Sequence, residues 1–228
     1  MRARVVHNME QAVRIQTSIL SDVEKKALIW LAQRMPSWVG SDHLTALGFL
    51  SLLGAGLAYW YAARDPVLGL TLVNVLLVLN WFGDSLDGTV ARVRNRQRPR
   101  YGFYIDHVLD AVGTFALLGG LTASGFMSER VGFLLTIVYL LLNVETYLAT
   151  YTRNKFKMAH GKFGPTELRV LLIVGNLFLL RNPYANLFGE RFLLFDVGAV
   201  VGIAGMAFML VRAIWTNGSQ LYREETLD

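Results

Sequence analysis

The sequence predicts an all-α integral membrane protein with six transmembrane helices that follow an N-terminal amphipathic interfacial helix. Hydrophobic residues make up 54% of the 228 residues, charged residues only 17%, and the mean hydropathy is +0.39. The apolar residues form long runs, several of which approach the roughly 20 residues that a helix needs to cross about 30 Å of hydrocarbon. Because an α-helix satisfies its own backbone hydrogen bonds, these runs can span a bilayer.

We divide the chain into three parts. Residues 1–40 form an N-terminal cytoplasmic segment with the interfacial helix, residues 41–217 form the six-helix membrane domain that carries the function, and residues 218–228 form a polar cytoplasmic tail. The first twenty residues contain no apolar core, so they do not resemble a cleavable signal peptide. We therefore expect the N-terminus to stay in the cytoplasm.

The interfacial helix begins at Ser21, where Glu24 three residues later completes the spacing of a capping box. Apolar residues such as Leu28 and Leu31 fall on one face, and Pro36 ends the helix. The helix carries too many charges to span a membrane, so we expect it to lie in the plane of the interface. A capping helix packed on the membrane domain is the alternative.

Six apolar runs follow, separated by polar or basic residues. They cover residues 44–63, 67–82, 102–126, 131–151, 166–180 and 192–215. The second run ends near residue 82, but helical signals continue to residue 93. In this extension Asp84, Asp87, Gly88 and Ala91 recur at steps of three and four, which places them on one helix face.

Basic residues are distributed unevenly between the two sides of this layout. The outer loops hold four of the 22 lysines and arginines, which leaves eighteen for the inner segments. Since basic residues accumulate on the cytoplasmic side of membrane proteins, we expect the inner helix ends to face the cytoplasm. The formal charge of +5 has the same explanation, and we expect no nucleic-acid partner.

Four aspartates lie between residues 84 and 110 of this otherwise apolar chain. Asp84 and Asp87 end the second helix, whereas Asp106 and Asp110 begin the third. Burying four like charges together is prohibitive unless cations neutralise them. The two pairs can converge if the helices pack antiparallel. Oxygen ligands in a chain without cysteine favour hard cations such as Mg²⁺, Mn²⁺ or Ca²⁺, and four carboxylates can hold two such ions for phosphoryl transfer.

Small residues accompany the aspartates. Gly88 and Ala91 each lie one turn beyond an aspartate of the second helix, and Gly102 lies one turn before the first aspartate of the third. Exposed backbone at these positions lets a bulky ligand approach closely, although close helix packing is an alternative reason for glycine in a membrane. Arg92 lies where its guanidinium could bridge phosphate oxygens.

Together these residues form the pattern D-x2-D-G-x2-A-R-x9-G-x3-D-x3-D, matched at every fixed position between residues 84 and 110. The pattern resembles the signature of the CDP-alcohol phosphotransferase (phosphatidyltransferase) family, and the layout of six spans after an interfacial helix agrees with it. The resemblance implies an enzyme of phospholipid synthesis that transfers a phosphatidyl or phospho-alcohol group to an acceptor alcohol and releases CMP. CDP-diacylglycerol is the donor that we expect, and a soluble CDP-aminoalcohol is the other donor of such enzymes.

The resemblance also implies roles for single residues. The four aspartates would bind two Mg²⁺ or Mn²⁺ ions, and Asp110 would act as general base on the acceptor hydroxyl. The residues implied to line the CDP site are Gly88, Ala91, Arg92 and Gly102. Thr45, at the inner start of the first span, is a further candidate for hydrogen bonding to the nucleotide, with a bond to its own helix backbone as the alternative. His107 points about 100° away from Asp106, so we expect it to pack rather than to bind.

The acceptor site has weaker signals. Basic residues flank the inner ends of the fourth and fifth spans and would suit a phosphorylated acceptor, but the topology explains them equally well. They are Arg153, Lys155, Lys157, Lys162 and Arg169. Glu145 lies within a span, where a carboxylate usually faces a cavity or a partner. We expect it to pair with a basic residue near the site or to contact the acceptor. The candidate acceptor residues are Glu145, Arg153, Lys155 and Lys162.

The same aspartates are compatible with two other function classes. An intramembrane prenyltransferase also binds a diphosphate through aspartates and Mg²⁺, and Asn80-x3-Asp84 is faintly similar to its first motif. A divalent cation transporter would use the same carboxylates for transport, but its site is expected near the midplane of the bilayer rather than at one edge. The expected partners are the donor, the acceptor and membrane lipids, and a homodimer is a possible assembly.

Overall fold

The computed structural model describes residues 21–153, 165–187 and 189–225, which form seven helices and one hairpin. The helices are α1 (Ser21–Arg34), α2 (Ser41–Ala62), α3 (Pro66–Val93), α4 (Pro99–Ala123), α5 (Glu129–Arg153), α6 (Pro165–Leu179) and α7 (Leu194–Glu224). The hairpin pairs β1 (Tyr184–Leu187) with β2 (Glu190–Leu193) in antiparallel register. The all-α membrane class is thus confirmed.

Five of these helices, α2 to α5 and α7, are long and apolar enough to cross a bilayer. The predicted fifth span corresponds to α6, whose apolar part, Leu168–Leu179, is shorter than a typical spanning helix. The count of six spans therefore stays a prediction. The second helix runs without a break to Val93, as its periodicity predicts, so the first two aspartates belong to the same rod as the apolar span.

The sixth predicted span differs from the structure at both ends. Residues 192 and 193 belong to β2, which the sequence did not predict, and the helix begins at Leu194. Gly189 supplies the positive φ of +85° that the turn of this hairpin requires. At the other end α7 continues to Glu224, so most of the predicted polar tail from residue 218 is helical.

Helices α2 and α4 touch through their backbones. A Cβ atom on Gly120 would collide with the carbonyl group of Gly56, and one on Gly56 would collide with the carbonyl oxygen of Ala116. On its other side α2 meets α3 through Gly48 and Gly83 in the same manner. Small residues permit such close approach in membranes, where packing replaces the hydrophobic effect between helices. The contacts hold the first turns of α2 beside the last turns of α3 and the first turns of α4.

A buried polar chain attaches α6 to this unit. Asn176 is completely buried, accepts a hydrogen bond of 2.8 Å from the Tyr59 hydroxyl of α2, and donates one of 2.8 Å to the Asn74 side chain of α3. Because a buried amide is costly unless its polar atoms are paired, these bonds fix the position of α6 on α2 and α3.

Helix α1 packs on the membrane domain through a small apolar cluster. Leu28 and Ala32 of α1 are buried against Leu44 of α2 and against Leu86 and Val90 of α3. This is the packed capping helix that the sequence left as the alternative. Several apolar side chains on the outer face, including that of Trp30, stay exposed, as the interfacial placement also requires. The interfacial placement itself stays a prediction.

Arg94, which follows α3, forms hydrogen bonds with the backbone of the connection between α1 and α2. Its guanidinium donates hydrogen bonds to four backbone carbonyls of that connection, those of Met35, Pro36 and Val39 and, at 3.5 Å, that of Ser37. The planar fork of arginine satisfies several backbone acceptors of this connection, which lies between two helices and has no ladder of its own.

We expect Arg94→Ala to lower the free energy of unfolding by about 2 kcal/mol, because it leaves several carbonyls without this donor. Thermal unfolding in detergent measures the change. The matched control is Arg96→Ala, since Arg96 is an exposed arginine two residues further along the chain. Equal midpoints of thermal unfolding for the two variants would contradict a stabilising role of the Arg94 hydrogen bonds.

Candidate active site

The four aspartates line one cleft, at the end of the molecule where α2 and α4 begin and α3 ends. Ten residues form its walls: Thr45, Gly48, Phe49 and Leu52 of α2, Asn80, Asp84 and Asp87 of α3, and Asp106, Leu109 and Asp110 of α4. The predicted convergence of the i, i+3 pair of α3 with the i, i+4 pair of α4 is thus present. It arises because the Gly48–Gly83 contact and the Gly56–Gly120 contact hold both helices against α2.

Asp84 forms an ion pair with a residue from a distant part of the chain. The Arg169 guanidinium of α6 donates to Asp84 Oδ2 at 2.6 Å, and its Nε donates to Asn80 Oδ1 at 2.7 Å. Only 13% of the arginine side chain is exposed. Asn80 in turn donates to the backbone carbonyl of Gly48 at 2.9 Å. This network compensates part of the negative charge of the cleft and joins α6 to α3 and α2.

We did not predict this role of Arg169, although two signals point toward it. Arg169 is a charged residue in an apolar stretch between Leu168 and Val170, where a charge needs a partner. Asn80 lies one turn before Asp84 and therefore shares its helix face. The sequence offered Arg169 only as one of several basic residues at the inner helix ends.

Asp87 is the most buried of the four carboxylates, with 7% of its surface exposed. Its Oδ2 accepts a hydrogen bond of 2.7 Å from Thr45 Oγ1, and its Oδ1 lies 2.5 Å from the backbone nitrogen of Gly88. The Thr45 hydroxyl also lies 3.2 Å from the carbonyl oxygen of Ser41 in its own helix. Thr45 therefore lies in the cleft, where one hydroxyl proton has two acceptors and the aspartate is the closer.

On α4, Asp106 and Asp110 face the cleft, whereas His107 faces the other way. The His107 ring is buried between Phe103 and Tyr147, with ring centroids 4.2 Å and 4.9 Å apart. This agrees with the expectation that His107 packs rather than binds. The intervening residue Leu109 completes the apolar wall of the cleft.

The remaining nucleotide candidates lie beside the cleft rather than in its walls. Gly88, Ala91 and Arg92 occupy the last turns of α3, where the Arg92 guanidinium donates to Thr89 Oγ1 at 2.9 Å. Apart from the backbone of its own helix, no heavy atom of the described residues lies within 4 Å of a Cβ placed on Gly102, so this part of the structure leaves the space beside its backbone open. Open space beside the first turn of α4 is what the approach of a bulky ligand requires.

The acceptor candidates are only partly described. The Glu145 carboxylate accepts a hydrogen bond of 2.6 Å from the side-chain amide of Asn217 in α7, so the partner that the structure gives it is an amide and not a basic residue. Arg153 is the last residue of α5, and Lys155 and Lys162 lie outside the described residues. The role of these four residues stays a prediction.

The cleft fits a divalent metal by its donor chemistry. Among the described residues, its charged lining groups are carboxylates alone, which are the ligands of hard cations. Within residues 21–153, 165–187 and 189–225, however, no three Asp, Glu or His side chains are already arranged to hold one ion. Asp84 Oδ2 faces Arg169 and Asp87 Oδ2 faces Thr45, so each of these two interactions engages one oxygen of its carboxylate.

Comparison with known proteins assigns the chain to a protein family. A profile of the CDP-alcohol phosphatidyltransferase family matches residues 41–214, which include α2 to α6 and most of α7. The chain belongs to this family. Members of the CDP-alcohol phosphatidyltransferase family generally depend on divalent metal, in agreement with the carboxylate lining of the cleft.

Two relatives in the family are both named archaetidylinositol phosphate synthase. One, from Pyrococcus horikoshii, is 26% identical over 118 residues, which cover 52% of this chain and 55% of the relative. The other, from Methanothermobacter thermautotrophicus, is 34% identical over 94 residues, which cover 41% of this chain and 45% of the relative. The chain thus spans about half the length of each relative that it matches.

Proposed function

We propose that this CDP-alcohol phosphatidyltransferase transfers a phosphatidyl group from CDP-diacylglycerol to an acceptor alcohol and releases CMP. The observation that carries the proposal is the convergence of the four motif aspartates, from two helices, on one cleft. Family membership favours this reaction over prenyl transfer and over cation transport.

Asp110 is the proposed general base. It would take the proton of the acceptor hydroxyl while the oxygen attacks the β-phosphorus of the donor, and the bond from that phosphorus to the CMP oxygen breaks. The four aspartates would hold two Mg²⁺ or Mn²⁺ ions, which neutralise negative charge on the diphosphate. Arg92 and the open backbone at Gly102 would receive the nucleotide and its phosphates.

The position of the cleft suits a substrate with one lipid part and one water-soluble part. Its walls begin at Thr45 and Asp106 and reach inward to Leu52 and Asp110, so a lipid part can enter from the bilayer while the nucleotide stays toward the water. The excess of basic residues on the same side of the predicted layout supports a cytoplasmic location.

For the acceptor we propose a phosphorylated polyol. Both relatives are named as synthases of archaetidylinositol phosphate. The basic residues Arg153, Lys155 and Lys162 are of the type that binds a phosphate group, and Glu145 is the candidate for a polyol hydroxyl.

To test the proposal, purified protein is incubated with one of two donors, CDP-diacylglycerol or a soluble CDP-aminoalcohol. Each donor is combined with one of four acceptors: inositol phosphate, glycerol phosphate, inositol or serine. We expect Mg²⁺-dependent or Mn²⁺-dependent CMP release that needs CDP-diacylglycerol and a phosphorylated acceptor. CMP release only with inositol or serine would contradict the proposed acceptor. Pyrophosphate release from a prenyl diphosphate, or metal flux into liposomes without CMP release, would contradict the proposed reaction.

A further inference from the structure

The Glu24 carboxylate of α1 joins three helices at one point. Its Oε1 accepts a hydrogen bond of 2.8 Å from the indole nitrogen of Trp81 in α3 and another of 3.0 Å from the hydroxyl of Thr166 in α6. The three residues are far apart in the sequence, and none belongs to the aspartate motif. A carboxylate oxygen can accept both bonds because it has two lone pairs.

The position of Glu24 is fixed by the packing of its own helix. One turn further along α1, Leu28 is buried in the cluster with Leu86 and Val90 of α3, and Trp81 packs at the edge of that cluster. Since a helix turn separates Glu24 from Leu28, the carboxylate is held over the start of α6 by apolar packing. The bond to Trp81 fixes its direction.

The contact with Thr166 lies close to the site. Thr166 and Arg169 are three residues apart in the first turns of α6, so they lie on neighbouring parts of one helix face. Arg169 is the residue that pairs with Asp84 and Asn80 at 2.6 Å and 2.7 Å. The beginning of α6 is therefore held on one side by α1 and on the other by the acidic end of α3.

We propose that Glu24 is a positioning residue: by holding the first turn of α6 through Thr166, it keeps the Arg169 guanidinium at Asp84 in the cleft. Helix α1, packed on α2 and α3, then fixes the position of the start of α6 beside the site. Its effect on turnover rests on the proposed function, whereas its effect on the position of α6 does not.

Two spin labels measure the position of α6 directly. The chain contains no cysteine, so labels attach only to introduced residues, here Gln33→Cys on α1 and Leu168→Cys on α6, both exposed positions. We expect a narrow distance distribution in the parent and a broader one in Glu24→Ala. Glu24→Gln should fall between them, because its amide oxygen can still accept hydrogen bonds but carries no charge.

The control for the label experiment is Glu190→Gln, which removes an exposed carboxylate from β2 and should leave the distribution unchanged. A Glu24→Ala distribution identical to that of the parent overturns the proposal. Thr166→Val should broaden the distribution as Glu24→Ala does, because it removes the other partner of the same bond.

Turnover tests whether Glu24 acts through Arg169. We expect Glu24→Ala to lower kcat/KM about tenfold in the wild-type background but less than about twofold when Arg169 is already alanine, because coupled residues are not additive. Equal losses in both backgrounds would overturn the link to the site, since general destabilisation is additive. If the wild type releases no CMP from any donor, the proposed function fails, and the label distances still decide the role of Glu24.

Discussion

Replacing Asp110 with asparagine is expected to lower CMP release about a thousandfold, the largest effect of any single change in the cleft. Asparagine keeps the shape of the side chain and one oxygen ligand, but it cannot take a proton from the acceptor hydroxyl. The fold should survive, because Asp110 lines the cleft instead of a packed interface. Measuring the rate of CMP release at saturating concentrations of donor and acceptor separates a loss in kcat from a loss in binding.

Measurements of nucleotide binding distinguish the two roles proposed for Asp110, metal ligand and general base. Isothermal titration of the Asp110→Asn variant with CMP and Mg²⁺ should still show binding, since three carboxylates remain. Glu129→Gln, an acid-to-amide change at the exposed start of α5, is the matched control and should retain full turnover. Full turnover in Asp110→Asn would remove Asp110 as the base.

Gly120→Ala is expected to destabilise the fold at the contact between α2 and α4. An added Cβ would collide with the Gly56 carbonyl group, so α2 and α4 would have to separate. Overpacking of a close contact costs about 1–3 kcal/mol. Because this clash is with backbone rather than with a flexible side chain, we expect the upper end of that range, which outweighs the gain of about 1 kcal/mol that alanine offers over glycine in a helix. Activity should fall as well, because Thr45 of α2 and Asp110 of α4 share the cleft.

The neighbouring Gly119 provides the control for this change. It lies in the same helix, but a Cβ at this position would meet no heavy atom within 4 Å in the part of the chain that the structure describes, its own helix backbone aside. Gly119→Ala should therefore leave thermal unfolding in detergent unchanged or raise its midpoint slightly. Equal behaviour of the two variants would show that the α2–α4 contact is looser than described.

The sequence was sufficient to predict those parts of the structure that local periodicity controls. The continuation of α3 to Val93 follows from the regular return of small and acidic residues after Phe82, and the shared cleft follows from two pairs on helices joined by a short turn. The motif supplied the family, because eight fixed positions recur at fixed spacing.

Features that depend on pairing between distant residues were not predictable in this way. The Asp84–Arg169 pair joins residues 85 positions apart, and no periodicity connects them. Likewise Glu145 meets Asn217 of α7, a partner that its charge did not suggest. The hairpin before α7 was missed because its strands have four residues each, too few for an alternating pattern to stand out from the apolar run that follows.

The length of α3 has a consequence for the response of the protein to its membrane. Its 28 residues measure about 42 Å, longer than the hydrocarbon layer of about 30 Å, and Asp84 lies about 27 Å from its first residue. The membrane-spanning part of α3 and its two aspartates thus belong to one rigid helix of fixed length. A thicker bilayer would draw the carboxylates toward the acyl chains and a thinner one would expose them to water, so lipid composition can set their hydration without altering a single contact in the cleft.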